Sequence, residues 1–122
     1  MEETHFIEEV QNIYSFILQN VVNEASKHPR IGEEMIYGIL RRSLKNLNLE
    51  YIISISRDFD IEFKTENEDK IIRSMNSLLR EIRVNLAIVV GAKKAFSILE
   101  KAIDLAKKKY GLIKIASLEI EF

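Results

Sequence analysis

Apolar residues recur every three or four positions along most of this chain, and no other feature constrains its fold as strongly. From Phe6 to Ala25 they form one broad stripe, which predicts an amphipathic helix. Pro29 ends that pattern, because proline inside a helix loses a backbone hydrogen bond and clashes with the preceding turn. A second stripe then predicts a helix that begins near Ile31 and forms a helical hairpin with the first.

Between Tyr51 and Phe63 the apolar residues alternate with polar ones, which is typical of a half-buried strand. These thirteen residues are long for one strand, so the segment is either a single bent strand or a hairpin that turns at residues 56–58. Neither glycine nor asparagine occupies that turn. We therefore favour one bent or bulged strand.

The second half of the chain repeats this order, with two stretches of helical periodicity followed by one of strand periodicity. Thr65 and Glu68 have the spacing of a capping box, which predicts the start of a third helix. Gly91 should kink or end that helix. A fourth helix should end at Gly111, which follows three lysines that suit a helix C-terminus. The last segment, "LIKIASLEIEF" at residues 112–122, predicts a closing strand.

A similar sequence motif ends each half of the chain: "DFDIEF" at residues 58–63 resembles "SLEIEF" at residues 117–122. We interpret the matched order of periods as an internal duplication of a helix-helix-strand unit, with repeats at about residues 4–63 and 64–122. The predicted fold is α+β and mainly helical. It is a single domain over residues 1–122, with four helices and two strand segments packed about a pseudo-twofold axis.

The residues that match between the two motifs are the apolar ones, which indicates a role in packing rather than in catalysis or metal binding. The predicted interface consists of Phe59, Ile61, Phe63, Leu118, Ile120 and Phe122. Two strands alone make a marginal sheet. We therefore expect the strands to pair with each other or to extend a partner's sheet, and we expect a homodimer.

Composition excludes several classes of protein. Without cysteine the chain has no disulfide, thiolate nucleophile or cysteine-rich zinc site, which fits a reducing compartment. Its longest apolar run, "LAIVVGA", has seven residues against the roughly 20 that span a bilayer, and its acidic start is unlike a signal peptide. We expect a soluble, cytoplasmic protein without a membrane partner. The many isoleucines and few glutamines also lean toward heat-adapted proteins.

The side chains that could carry chemistry do not assemble into a familiar site. Alternating acids at Asp58, Asp60, Glu62, Glu119 and Glu121 could bind a hard cation, but they equally describe the solvent face of an amphipathic strand, and we favour the latter. His5 and His28 have no partner at metal-ligand spacing. The serines lack a nucleophile context, and the glycines are too dispersed for a phosphate loop. We predict no catalytic, cofactor or metal residue.

Basic residues form two rows that could contact nucleic acid or another anion. The second-helix row is Arg41, Arg42 and Lys45, and the fourth-helix row is Lys94, Lys101 and Lys108. We favour an ordinary solvated helix face, because acidic residues interleave with these cations and the net charge is −1.

Three functions therefore remain open at the level of sequence. The favoured one is a non-enzymatic regulatory or protein-interaction module, which acts as a homodimer and could hold a small apolar ligand between the repeats. The second is a nucleic-acid-associated protein that uses the two basic rows. The third is an enzyme whose site forms only at a dimer interface, with the acidic strand faces as its source.

Overall fold

Helices make up most of the molecule, and a two-stranded antiparallel sheet completes it, which confirms a mainly helical α+β fold. The computed structural model describes residues 2–122, with side chains from residue 7 onward. The elements, in chain order, are α1 (Glu2–Ser26), α2 (Glu33–Asn46), β1 (Ile53–Ile55), β2 (Ile61–Phe63), α3 (Glu68–Val90), α4 (Ala92–Tyr110) and α5 (Leu112–Ser117).

The apolar stripes of the four long helices meet in one core. Helix α4 packs most extensively against α1 and α3, while α2 packs against α3 and, to a lesser degree, against α1. Tyr14, Leu78 and Leu99 have no exposed surface at the centre of this packing. Burying such side chains stabilises the fold by roughly 1.5 to 3 kcal/mol each, so the helical stripes determine the architecture.

The helix boundaries follow from local chemistry, with one departure from expectation. Gly91 ends α3 rather than kinking it, since its φ of +89° and ψ of 157° are open mainly to glycine. Gly111 caps α4 as predicted. The predicted capping box is wrong: α3 begins at Glu68, after Asn67, whose side-chain oxygen accepts the Lys70 N–H at 3.0 Å.

The segment from Tyr51 to Phe63 is a hairpin, so the prediction of one bent strand is wrong. Residues 56–60 make the turn without glycine or asparagine, because Ser56 supplies the missing bonds. Its N–H donates to the Asp60 carbonyl at 3.0 Å, and its hydroxyl accepts the Asp60 N–H at 3.2 Å. Phe59 occupies the left-handed region at φ +65° inside this loop.

The predicted closing strand is also wrong, because residues 112–117 form α5 and the following residues pair with no strand. Ile115 and Leu118 are buried at helical spacing, whereas alternation would have exposed one of them. An ion pair from Lys114 to Glu9 holds α5 against α1. The described chain thus has five helices, and both of its strands lie in the first half.

Candidate functional site

A groove of about 780 Å³ separates α2 from β1. Its lining combines α2 side chains with the backbone and side chains of β1 and the residues flanking the hairpin. The lining residues are Tyr37, Arg41, Arg42, Leu44, Lys45, Asn46, Glu50, Ile53, Ser54, Ile55 and Lys64. A volume of this size is within the range of 300 to 1,000 Å³ that is usual for ligand sites. We call this feature the α2–β1 groove.

The walls of the α2–β1 groove are basic. Arg41, Arg42 and Lys45 come from α2, and Lys64 follows β2, whereas Glu50 is the single carboxylate in the lining. Among the side chains from residue 7 onward, no carboxylate lies within 4.0 Å of the three α2 cations. The groove therefore carries net positive charge that the described side chains leave uncompensated, and this charge attracts an anionic partner.

Strand β1 is paired along one edge only. Its register places Ile53 opposite Phe63, Ser54 opposite Glu62 and Ile55 opposite Ile61. The Ser56 N–H donates to the Asp60 carbonyl at 3.0 Å, and the Lys64 N–H donates to the Ile52 carbonyl at 2.7 Å. Because bonding direction alternates along an antiparallel pair, the even-numbered residues of this strand direct their peptide groups toward β2.

The odd-numbered residues of β1 consequently direct their peptide groups away from β2, along the edge that borders the groove. The Ile53 N–H bonds back to the Leu49 carbonyl at 2.9 Å. The Ile53 carbonyl and both peptide groups of Ile55 have no partner within the part of the chain that the structure describes. Ile53 has no exposed surface, so only the peptide groups of Ile55, a residue that is 8% exposed, can meet another chain. An unpaired strand edge is a template for another extended chain.

One end of the groove is closed by stacked aromatic and basic side chains. The Arg57 guanidinium lies 4.4 Å from the centre of the Tyr37 ring and donates to Glu34 at 2.8 Å. The Phe59 and Tyr37 rings meet edge to face at 6.3 Å. These contacts connect the hairpin loop to α2 beside Tyr37.

The fourth-helix row does not reach the α2–β1 groove. Lys94 and Lys101 line a separate cleft of about 150 Å³ with His28 at the end of α1. Lys101 lies 3.9 Å from Glu24. Since α2 and α4 have little or no direct contact, the two predicted basic rows do not form one surface. Lys108 is exposed and lines neither cleft.

The residues of the predicted interface mostly pack against the protein's own core. Leu118 is buried, and the other five, Phe59, Ile61, Phe63, Ile120 and Phe122, are half-buried against the core. The Phe122 ring lies 5.2 Å from the Phe96 ring on α4. Phe16, which lies off the α1 stripe, packs edge to face on Tyr110 at 5.7 Å.

A second groove, of about 710 Å³, lies between α4 and residues 118–122, which we call the tail. Glu100 and Asp104 contribute to its lining from α4, and Glu119 and Glu121 contribute from the tail. Lys107 is its only basic residue, and it already lies 3.9 Å from Asp104. This groove is therefore as acidic as the α2–β1 groove is basic.

A buried network that the sequence did not indicate fixes the base of the tail. The Tyr14 hydroxyl donates to the Asn76 side-chain oxygen at 2.7 Å, and the Asn76 amide donates to the Leu118 carbonyl at 2.8 Å. Burial raises the pKa of Tyr14 well above its ordinary value. For Tyr110, burial and then the charge of Glu9 raise the pKa. Both phenols stay neutral at physiological pH.

A second polar contact joins α2 to α3. The buried Asn85 amide donates to the Ser43 hydroxyl at 2.9 Å, and that hydroxyl donates to the Ile39 carbonyl at 2.8 Å. Both polar residues interrupt apolar stripes, which was the only signal available in the sequence. Their pairing sets how α2 lies along α3 and so helps to position the groove.

The described residues include neither a cluster of metal ligands nor a membrane-spanning helix. No group of three or more His, Cys, Asp or Glu among them is placed to hold a metal ion, and none of their helices is long and apolar enough to cross a membrane. His5 lies outside the side chains that the structure describes. Comparison of the chain with models of known families, with curated proteins and with solved structures finds no match.

Proposed function

We propose that this protein is a non-enzymatic interaction module that binds an extended, acidic protein segment in the α2–β1 groove. The observation that carries the proposal is the open edge of β1 beside three uncompensated cations of α2, Arg41, Arg42 and Lys45. Addition of a strand to a free sheet edge is a recurrent mode of peptide recognition. The same geometry supports the expectation that the protein works by binding rather than by turnover.

The bound segment would use two kinds of contact. Its backbone would bond to the two peptide groups of Ile55, which gives up to two main-chain hydrogen bonds. Its side chains alternate in direction, so acidic residues could face Arg41 and Lys45 while apolar ones face Leu44. Because β1 has only three residues, binding should be weak and dependent on charge.

A synthetic six-residue peptide of alternating glutamate and isoleucine, labelled with fluorescein, tests this proposal by fluorescence anisotropy. We expect saturable binding that weakens by about tenfold or more in the Arg41→Glu, Arg42→Glu double variant, since two attractive charges become repulsive. Lys94→Glu with Lys101→Glu is the matched control and should leave the affinity unchanged. Circular dichroism verifies that each variant is folded. Equal binding by all three proteins would refute the proposal.

Nucleic-acid binding is the second candidate, favoured by the row of uncompensated cations with Lys64 at its end. It would use the second-helix row alone or with Lys94, Lys101 and Lys108. A labelled single-stranded oligonucleotide in the same assay separates the candidates. A protein that neutralises phosphates binds more weakly as salt increases, in proportion to the number of contacts. Oligonucleotide affinity above that of the peptide, lost in the double variant, would favour this function.

The homodimer, the regulatory role and the duplicated origin are part of the same proposal. Each half contains two long helices and ends in a segment in which apolar and acidic residues alternate, which supports duplication, although α5 precedes that segment in the second half only. A small apolar ligand between the halves would have to enter one of the smaller clefts that both halves line, and the walls of these clefts carry charged side chains such as Glu24 and Lys101. We therefore place the protein ligand first.

A further inference from the structure

We infer that the segment bound by the α2–β1 groove is the tail of a second copy of this chain, and that two copies exchange their tails reciprocally. This inference rests on the proposed function, because it requires the groove to accept an extended acidic strand. It adds the identity of the occupant and the architecture of the homodimer.

The first argument is the repeated motif. Strand β2 carries Ile61, Glu62 and Phe63 and already pairs with one edge of β1. The tail carries Ile120, Glu121 and Phe122 in the same order. A segment with this pattern is therefore chemically suited to the second edge of β1, where its backbone would meet the free peptide groups of Ile55.

The second argument is electrostatic. In its own protomer the tail places Glu119 and Glu121 in a groove that they share with Glu100 and Asp104. In the α2–β1 groove of a second copy, the same two carboxylates would face uncompensated cations. Exchange therefore moves these two carboxylates from a groove of net negative charge to one of net positive charge.

The third argument is that the outer tail is held by side-chain packing and not by hydrogen bonds. Asn76 holds the Leu118 carbonyl at 2.8 Å and the Glu119 carbonyl at a longer 3.4 Å. Residues 120–122 make no hydrogen bond to any described residue, and they are retained through side-chain packing such as that of Phe122 on Phe96. Glu119 itself has φ +52°, an unfavourable value for a residue with a side chain.

Residues 119–122 can accordingly swing out about Glu119 while Leu118 and α5 stay in place. An extended Glu119 would leave its left-handed conformation, which relieves local strain. Reciprocal exchange uses the same pair of surfaces twice and gives a closed twofold dimer. Direct pairing of two β1 edges is disfavoured, because it would bring two basic grooves together.

A pair of charge-reversed variants tests the inference. The tail variant is Glu119→Lys with Glu121→Lys, and the groove variant is Arg41→Glu with Arg42→Glu. Each should be a monomer by size-exclusion chromatography with light scattering, since tail and groove then carry like charges. An equimolar mixture should form a heterodimer, because each tail meets a groove of opposite charge. The wild-type dimer should weaken by about tenfold or more at high salt.

The control is Lys94→Glu with Lys101→Glu, which should dimerise like the wild type. Native mass spectrometry of the mixture, with one variant labelled with ¹⁵N, distinguishes the heterodimer from either homodimer. A monomeric mixture, a wild type that is monomeric at all concentrations, or a ladder of larger oligomers would each overturn the inference. If the wild type is monomeric but the glutamate-isoleucine peptide still binds, the proposed function stands and only the exchange of tails is wrong. If neither association occurs, both fail.

Discussion

At the scale of single residues, buried polar side chains connect helices that apolar packing alone would leave free to slide. Tyr14 has no exposed surface, and its hydroxyl is within 2.7 Å of the Asn76 side chain. The hydrogen bond between the Asn85 amide and the Ser43 hydroxyl likewise connects α3 to α2. A buried hydroxyl without its partner costs about 1 to 3 kcal/mol, so such pairs select one arrangement of the helices over its neighbours.

Tyr14 should make the stability of the protein depend on pH in the alkaline range. Its folded-state pKa is raised by burial, so its contribution is complete below the unfolded-state pKa of about 10 and is lost as pH increases above that value. Between the two pKa values the folded state holds one more proton, and the free energy of unfolding falls by about 1.4 kcal/mol per pH unit.

The variant Tyr14→Phe tests this expectation by urea denaturation at neutral pH and at about pH 11. At neutral pH we expect a loss of roughly 1 to 2 kcal/mol, because the Asn76 oxygen loses its donor. Above pH 10 the difference from the wild type should shrink or reverse. Tyr51→Phe, at an exposed tyrosine, controls for removal of a phenol from the unfolded chain. A difference that does not change with pH would contradict the assignment.

At the scale of secondary-structure elements, the connections determine how the helical stripes meet. Gly91 is the single residue between α3 and α4, and both of these long helices depend on its unusual backbone conformation. Gly38, by contrast, lies inside α2 in ordinary helical backbone and is exposed. At either glycine an added Cβ would meet no atom within 4 Å. Any effect of alanine there therefore arises from the backbone alone.

Alanine substitutions at these two glycines should have opposite effects on stability. Gly91→Ala should destabilise the protein by about 1 to 3 kcal/mol, since its φ of +89° is strained for any residue with a Cβ. Gly38→Ala should stabilise it by about 0.5 to 1 kcal/mol, because alanine loses less conformational freedom in a helix. Urea denaturation measures both effects as shifts in the midpoint, provided that the dependence of the unfolding free energy on urea concentration is unchanged. Effects of the same sign would show that the backbone argument fails at one of the two sites.

The sequence correctly predicted the helices, whose buried residues recur at regular intervals. It gave wrong predictions where local hydrogen bonds or tertiary contacts determine the secondary structure. The stripes of α1 to α4 identified all four long helices. The hairpin was the alternative that we did not favour, because Ser56 and a left-handed Phe59 make a turn that usually needs glycine or asparagine. The closing strand was wrong because Ile115 and Leu118 are also spaced for a helix, and that spacing is the one the core uses.

For the candidate site, the sequence indicated Arg41, Arg42 and Lys45 as a basic row. It could not indicate that Lys64 and the free edge of β1 face that row, because they come together only when the hairpin packs beside α2. For the same reason, the sequence could not show that the two predicted basic rows lie apart. The lysines of α4 are spaced along a helix like the cations of α2, yet they lie on a different surface. Charge patterns identify candidate residues, and tertiary packing decides which of them share a site.

At the scale of the whole molecule, the two halves share one core rather than forming two. The most extensive contact of α1 is with α4, which belongs to the other half, and α2 packs mainly against α3. The Tyr14 hydroxyl likewise bonds to Asn76, 62 positions further along the chain. A half isolated from its partner would therefore expose most of its apolar stripe to water, whatever the origin of the repeat.

This arrangement predicts that residues 1–63 and 64–122, expressed separately, each lack a cooperative thermal transition by far-ultraviolet circular dichroism. Mixing them should restore helical signal and a single transition whose midpoint increases with concentration, since association then contributes to stability. The intact chain, which connects the same segments, is the control and should unfold in one step with a midpoint that depends less on concentration. A cooperative transition in either isolated fragment would mean that one half contains a core of its own, and that the contacts between α1 and α4 dock two formed units rather than creating a shared interior.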